Sequence, residues 1–516
     1  MPRPASPGTS PRPTASARIW RPGAWSSRMG PAAPPGSGAS PMARVPLTGR
    51  KLAYHALTFV LVVLLLMAPA LWNGYPLVYF DSEDYVEMAF SFQPIIWRIM
   101  TYGMFCSIAR FFGTLWALPL VHAILTTWVL HEAVMGFIGR WRHMVFLGVG
   151  LALALFTGLP WVSSQLLADV FAGVAILGIA ALAFGEGLQP WRRFALVVIT
   201  AIAICVHMSH VAVAAGLLLV LVTVWLGSRF MLRMPRPRLT APVMAIVAGI
   251  LLVPVTHYFI MGRFVFSESG QVLQLALLVQ NGMAKKYLDE VCPKGADLEM
   301  CDHKDELPHT ADEFLWGDSP FDEMGGWKAL HDEAGQIVSG AIRLFPADML
   351  NSALANTWEQ LNSIESGEDL VPMTWHFVRT QLRRYPDEFR QFRFARQQRR
   401  PAIDFFTINS FQIPINWGAE LLTPILLVVA WRRRDRTTTG LAIIVVAAII
   451  GNAIVCGALS NPHDRYQNRV VWLALFTAMV GAVRLDQRFA GQRRLSIRAE
   501  NEALAAEAAE GKTPPA

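Results

Sequence analysis

Charge is what this 516-residue chain has little of: Asp, Glu, Lys and Arg make up 16% of it, against roughly 25% in an ordinary soluble protein. With 53% apolar residues and a mean hydropathy of +0.36, that shortage excludes a single water-soluble globule, because runs this apolar need lipid as their solvent. Cysteine is scarce as well. Five thiols are too few for a disulfide framework. A phosphate-binding glycine loop, a nucleophile elbow and a Cys-x-x-Cys pair are all missing, so nucleotide hydrolysis, serine hydrolysis and thiol redox work have no local motif, and nothing points to haem or flavin. The basic excess is small, 45 Lys and Arg against 38 Asp and Glu. In a membrane protein such an excess reports orientation first, and no nucleic-acid role is assigned.

What the chain does have is apolar runs. Residues 1–50 are rich in Pro, Ser, Ala, Gly and Arg without a hydrophobic period, and are expected to be a disordered cytoplasmic segment. Pro-rich stretches suit a transit peptide poorly, and a start at Met42 would remove most of the segment. Spans are expected at 57–72, 114–138, 144–160, 168–185, 193–207, 210–227, 241–261, 416–431, 438–459 and 469–485. That makes about ten. The basic clusters at Arg140 and Arg142, Arg192 and Arg193, Arg229 to Arg238, and Arg432 to Arg434 fall on one side in this count, which puts both termini in the cytoplasm. The expected fold is thus all-α: a polytopic membrane helix bundle, 51–261 and 416–485, with an extracytoplasmic loop at 73–113, a large helical extracytoplasmic insert at 262–415 and a cytoplasmic tail at 486–516.

Loops as long as the insert are usually functional. It holds 23 acidic and 15 basic residues, so the overall net charge of +7 hides an acidic outer part and a basic remainder. Helical spacing is read at Val272 to Leu288, Trp327 to Leu344 and Pro346 to Leu361, the last with Pro in a permitted first turn. Cys292 and Cys301 share one polar turn in an oxidising compartment. They are expected to form a disulfide, two buried free thiols being the alternative.

Candidate chemistry gathers on the insert side. Tyr79-Phe80-Asp81-Ser82-Glu83-Asp84-Tyr85 places Asp81, Glu83 and Asp84 at the membrane boundary, where carboxylates are costly. One of them could serve as a general base; alternatively Asp81 or Ser82 starts a surface helix whose first turn favours acids. Gln165 and Asp169, then His207 and His210, and finally the segment Asn461 to Arg469 with Arg465 and Tyr466, lie in turns on the same face. Singly these are ordinary caps, packed turn residues or span anchors. Together, arginines beside carboxylates at lipid depth suit a phosphorylated lipid substrate, since the guanidinium fork matches phosphate oxygens. Arg98, within Ile95 to Met100, is either a phosphate ligand or a headgroup anchor.

Tyr79-Phe80-Asp81 in a first outer loop, about ten spans, a large later insert and the late Arg465-Tyr466 resemble the GT-C superfamily of polyprenyl-phosphate-sugar-dependent glycosyltransferases. The protein-mannosyltransferase and aminoarabinose-transferase branch is the nearest in style, and the resemblance covers roughly 50–260 and 416–485. It implies an integral protein of the bacterial inner membrane that binds membrane lipid and a polyprenyl-phosphate-linked sugar donor. It further implies an inverting transfer in which Asp81 takes the acceptor proton and Arg98, Arg465 and Arg469 hold the departing phosphate. Ser82 interrupts the side-by-side acidic pair of that branch. No metal or other cofactor is assigned, although the carboxylates of Asp81, Glu83 and Asp84 would allow a divalent ion.

Two other classes compete. A transporter or flippase of lipid-linked glycans would carry ionisable residues or repeats at mid-membrane; the best in-span acid read from the sequence is Glu132, near the cytoplasmic end, and no repeat is evident. An O-antigen-type ligase or polymerase would use basic loop residues, for which the run from Arg379 to Arg400 is the candidate, a basic surface on anionic headgroups being the alternative.

Overall fold

The computed structural model describes residues 49–139, 143–231, 233–373, 377–400 and 403–509. The expected disordered segment, apart from its last two positions, and the orienting Arg140 and Arg142 lie outside the described residues. The first half runs α1 (Gly49–Asn73), α2 (Phe80–Ser91), α3 (Met100–Phe105), α4 (Ser107–Phe112), α5 (Ala117–Ile138), α6 (His143–Phe156), α7 (Leu159–Ser163), α8 (Val170–Phe184), α9 (Pro190–Cys205), α10 (Met208–Phe230) and α11 (Thr240–Met261). The insert follows as α12 (Gly270–Gln280), α13 (Met283–Val291), α14 (Ala311–Trp316), α15 (Gly326–Leu344), α16 (Pro346–Asn362), α17 (Val378–Arg384) and α18 (Phe389–Phe394). Then come α19 (Phe405–Arg432), α20 (Arg436–Leu459) and α21 (Asp464–Ala509). Among the described residues there is no strand, only one isolated bridge between Leu77 and Gln165.

The chain is an all-helical integral membrane protein. Each of the ten apolar runs is helical, but among the described residues seven helices, not ten, are long and apolar enough to cross a membrane: Ala53–Asn73, Ala117–Ile138, Met208–Phe230, Thr240–Met261, Phe405–Arg432, Arg436–Leu459 and Asp464–Arg488. The other three, α6, α8 and α9, have 14, 15 and 16 residues. Every residue of α8 is buried, as expected for a helix that is apolar all round, and α5, α9, α20 and α21 pack about it. Its end is level with that of α5, where the Glu186 N–H donates to the Gly136 carbonyl at 2.7 Å. Since α8 is only about 22 Å long beside a hydrocarbon core of about 30 Å, its shortfall lies at the end that carries the insert. Asp169, just ahead of α8, is therefore recessed into the bundle. The far end is locked by Asp435, fully buried, which accepts from Arg484 at 3.1 Å, while Arg484 also donates to Glu186.

The insert differs from its expected outline in three places. The run Val272 to Leu288 is two helices, because Gly282 takes a φ of +68°, a conformation that glycine adopts without steric cost. The membrane helix expected from 416 begins at Phe405, and the tail continues α21 to Ala509. Nor is the insert one cap. Residues from Val272 to Ala341 build a second core, with Leu275, Phe314, Leu330 and Ile337 buried in it. By contrast, α16 packs along α20, so closely that a Cβ on Gly457 would lie 2.5 Å from the Asn356 carbonyl oxygen.

The returning segments 363–373 and 377–400 are stitched to the first loop. Gln397 accepts from the Val78 N–H at 3.0 Å and donates to the Val78 carbonyl at 2.6 Å, and its own N–H donates to Asn73. Buried Tyr75 donates to Glu388 at 2.7 Å. These contacts satisfy backbone and phenol groups that would be expensive to bury alone, and they fix the entry to α2.

Candidate functional site

α2 sorts its carboxylates by helical period. Asp81 and Asp84, three residues apart, share one face, whereas Glu83 shares another with Glu87. Glu83 accepts from Thr380 at 3.0 Å and Glu87 pairs with Arg384 at 2.8 Å. Glu83 is thus removed from the candidate base position and tied to α17. Ser82, which separates the acids in the sequence, is fully buried and accepts from the Tyr79 N–H at 3.0 Å, capping the helix. The divalent-ion alternative fails on the same geometry. The three carboxylates do not converge, and no group of three His, Cys, Asp or Glu side chains among the described residues is arranged to hold a metal ion.

Asp81 lies between two guanidiniums. Arg98 Nη2 is 2.5 Å from one carboxylate oxygen, and both terminal nitrogens of Arg465 are 3.3 Å from the other. Arg98 is held in turn by Asp84 at 3.0 Å, which also accepts from the Trp97 indole N–H at 3.0 Å. Trp97 packs with Trp316 and Trp327 of the insert, centroids 5.6 and 5.5 Å away, so the insert sets the position of Arg98. This replaces the headgroup-anchor alternative, because the guanidinium turns inward. The side chains of Asp81, Arg465 and Arg98 keep 13%, 15% and 18% of their exposure.

Arg465 is built in from several directions. Its guanidinium carbon lies 4.3 Å from the Tyr79 ring centroid and 4.9 Å from that of Tyr466, and its Nε–H is buried without a partner. Its backbone N–H donates to Glu368 at 2.8 Å, and the other Glu368 oxygen is 2.6 Å from His463 Nδ1. Burial would lower the His463 imidazole, yet Glu368 outweighs it and raises the group above its ordinary value. Burial likewise pushes Glu368 up, and His463 more than offsets it, leaving the carboxyl below its ordinary value. The phenol of Tyr79 donates to Asp369 at 2.9 Å and is raised by burial, so it stays neutral.

One turn along α21, Arg469 is fully buried and pairs with Asp169 at 2.5 Å. It also donates to Ser209 at 2.8 Å, and Ser209 in turn is 2.8 Å from His207 Nδ1. His207 and His210 are 5.0 Å apart between ring centroids, with His210 bound to the Ala203 carbonyl. Tyr466 lies between the two arginines, 4.9 Å from each guanidinium carbon. Asp81, Asp84, Arg98, Asp169, His207, His210, Arg465, Tyr466 and Arg469 therefore form one connected polar network, and of the expected catalytic and binding residues only Glu83 is left out. Asp169 is not a simple cap, since its side chain makes no capping bond to α8.

Chemically, the exposed part offers one carboxylate shared by two arginines beside aromatic rings, an arrangement that can exchange a carboxylate for another oxyanion. Glu368 and Asp369 complete it and are not singled out by the sequence, because they belong to an irregular loop where no periodicity marks them; His463 and Ser209 also join it from within two of the polar turns that the sequence marks. Elsewhere, Cys292 and Cys301 are disulfide-bonded. Glu132 pairs with His131 and Arg192. In the basic run, Arg384 holds Glu87 and Arg396 donates to the Trp72 carbonyl. Glu420, in the middle of α19, is a second in-span acid that the sequence reading passes over. Comparison with family models, with curated proteins and with solved structures gives no match.

Proposed function

We propose that the chain is a membrane-embedded glycosyltransferase that moves a sugar from a polyprenyl-phosphate donor to an acceptor hydroxyl at the membrane face carrying the insert. The observation that supports it is the shared grip of Arg98 and Arg465 on Asp81. When donor phosphate enters, its oxygens compete for the same two forks, which frees the Asp81 carboxylate. Asp81 then takes the acceptor proton while the hydroxyl oxygen bonds to the anomeric carbon. The bond from that carbon to the phosphate oxygen breaks as the new one forms, with inversion, and the electron pair leaves on a lipid phosphate neutralised by the two arginines. The basic clusters of the sequence put this face outside the cytoplasm, in the inner membrane of a bacterial envelope.

The test uses purified full-length protein with a polyprenyl-phosphate sugar and membrane acceptors. Asp81→Asn and Arg465→Ala should abolish transfer while the protein stays folded, and Glu83→Gln should retain it. Equal transfer by wild type and both site variants refutes the assignment. A second reading, an ion-coupled transporter of lipid-linked glycans, is favoured by one observation: Arg469 and Asp169 pair inside the bundle, as on the ion pathways of transporters. It requires counterflow in sealed vesicles that survives Asp81→Asn.

A further inference from the structure

Asn409, Gln412, Asn416, Glu420 and Thr423 recur along α19 at steps of three and four, so they share one face of a helix that crosses the membrane. Phe411, Leu421, Leu422 and Ile425 are exposed on the opposite face. The first two polar residues are satisfied. Asn409 accepts from the Ser366 N–H at 2.9 Å, and Gln412 accepts from the Ser366 hydroxyl and donates to the Thr157 carbonyl at 2.9 Å. Below them the partners stop. Asn416 is fully buried, and neither its Oδ1 nor its Nδ2 has a partner; one turn on, Glu420 is half-buried, with its Oε1 shielded from solvent and unpartnered.

Backbone chemistry adds a further acceptor. Pro424 has no N–H to give the Glu420 carbonyl four residues earlier. The Thr423 hydroxyl, nearest to hand, is turned to the Ala419 carbonyl at 2.8 Å and the Ala474 carbonyl at 3.4 Å. Two side-chain oxygens and a freed carbonyl thus lie within about 6 Å along the helix axis. Ionised groups on the packed helices are engaged elsewhere: Arg465 with Asp81, Arg469 with Asp169, Arg484 with Asp435 and Glu186. Arg436 is the first residue of α20 at its far end, and His143 starts α6 stacked on Tyr54. None of the hydrogen bonds or ion pairs among the described residues joins them to Glu420. Polar residues that serve only to join membrane helices find partners across the interface, which Asn416 does not.

We propose that Asn416, Glu420 and the Glu420 carbonyl bind a small monovalent cation, a proton or Na⁺, within the membrane, reached along the polar file from the insert side. The site is independent of the transferase assignment and uses none of its residues. The test melts the full-length protein in detergent in NaCl and in choline chloride at equal ionic strength, and labels it with a membrane-permeant carbodiimide over a range of pH, with Glu420 read by mass. Stabilisation and protection from labelling by NaCl identify Na⁺; labelling that NaCl leaves unchanged but whose pH midpoint moves when Asn416 is replaced identifies the proton. In either case Asn416→Leu should weaken the response roughly tenfold or more, the weight of one lost polar ligand, and Glu420→Gln should remove it. Asn416→Ser serves the same purpose where the leucine variant does not accumulate. The proposal is overturned if NaCl leaves the melting and the labelling of Glu420 unchanged and the pH midpoint of labelling is the same in wild type and in the Asn416 variants.

Discussion

Neutralising Asp169 tests whether the inner half of the network holds the bundle together. Arg469 Nη1 lies 2.5 Å from Asp169 Oδ1, with 0% and 5% of the two side chains exposed. In Asp169→Asn the guanidinium stays buried, with the neutral Ser209, Asn452, Cys456 and the Tyr466 ring to share its charge. Breaking one partner of such a pair costs about 3–5 kcal/mol, because the survivor is left as an uncompensated buried charge. Removing both charges, as in Asp169→Leu with Arg469→Met, eliminates that penalty and should cost much less than the sum of the single changes. The measurement is a double-mutant cycle by reversible unfolding in mixed micelles, where contacting residues show coupling of roughly 0.5–3 kcal/mol. A single variant within about 1 kcal/mol of wild type, or a cycle that adds without coupling, would refute the reasoning.

Three further outcomes follow from other parts of the molecule. His463 and Glu368 stabilise each other as ions: the raised imidazole contributes fully below its ordinary value of 6.5 and is lost as pH rises through its folded value, while the lowered carboxyl contributes above 4.5 and is lost as pH falls through its folded value. Thermal stability should therefore peak between those values, and His463→Gln should flatten the profile. In Gly457→Ala the new methyl would meet the Asn356 backbone, which cannot rotate away; a loss of about 1–3 kcal/mol is expected in unfolding experiments, and an unchanged protein would mean that α16 is free to shift. Reduction of Cys292–Cys301, which closes a loop of sequence separation 9, should destabilise the small insert core by roughly 2–3 kcal/mol in hydrogen exchange and leave exchange in α8 unchanged.

The sequence carried the helices better than their roles. All ten apolar runs are helical because composition alone requires it, yet whether 14 to 16 residues make a span depends on packing, as the fully buried α8 illustrates. Asp81, Arg98, Arg465 and Arg469 could be picked out because charge beside lipid is conspicuous. Splitting Glu83 from Asp84 required knowing that α2 begins at Phe80, a boundary that propensity does not fix. Glu368 and Asp369 come from a loop in which Gly367 and Asp369 both have positive φ, so no periodic signal led to them. Glu420 is hidden by its neighbours: averaged with Leu421, Leu422 and Ile425, one acid barely lowers the local hydropathy.

The stitching of Val78 by Gln397 and of Tyr75 by Glu388 spans 319 and 313 residues, and Asp81 waits for Arg465, 384 residues later. A ribosome adding roughly 5–20 residues per second takes from about a quarter of a minute to somewhat over a minute to supply those partners. Until then α2 is in the membrane without the contacts that orient it. Its carboxylates come into register only when the last helix is inserted. The molecule thus times its own assembly: a chain interrupted anywhere before Arg465 holds an incomplete centre, whatever the state of its earlier helices.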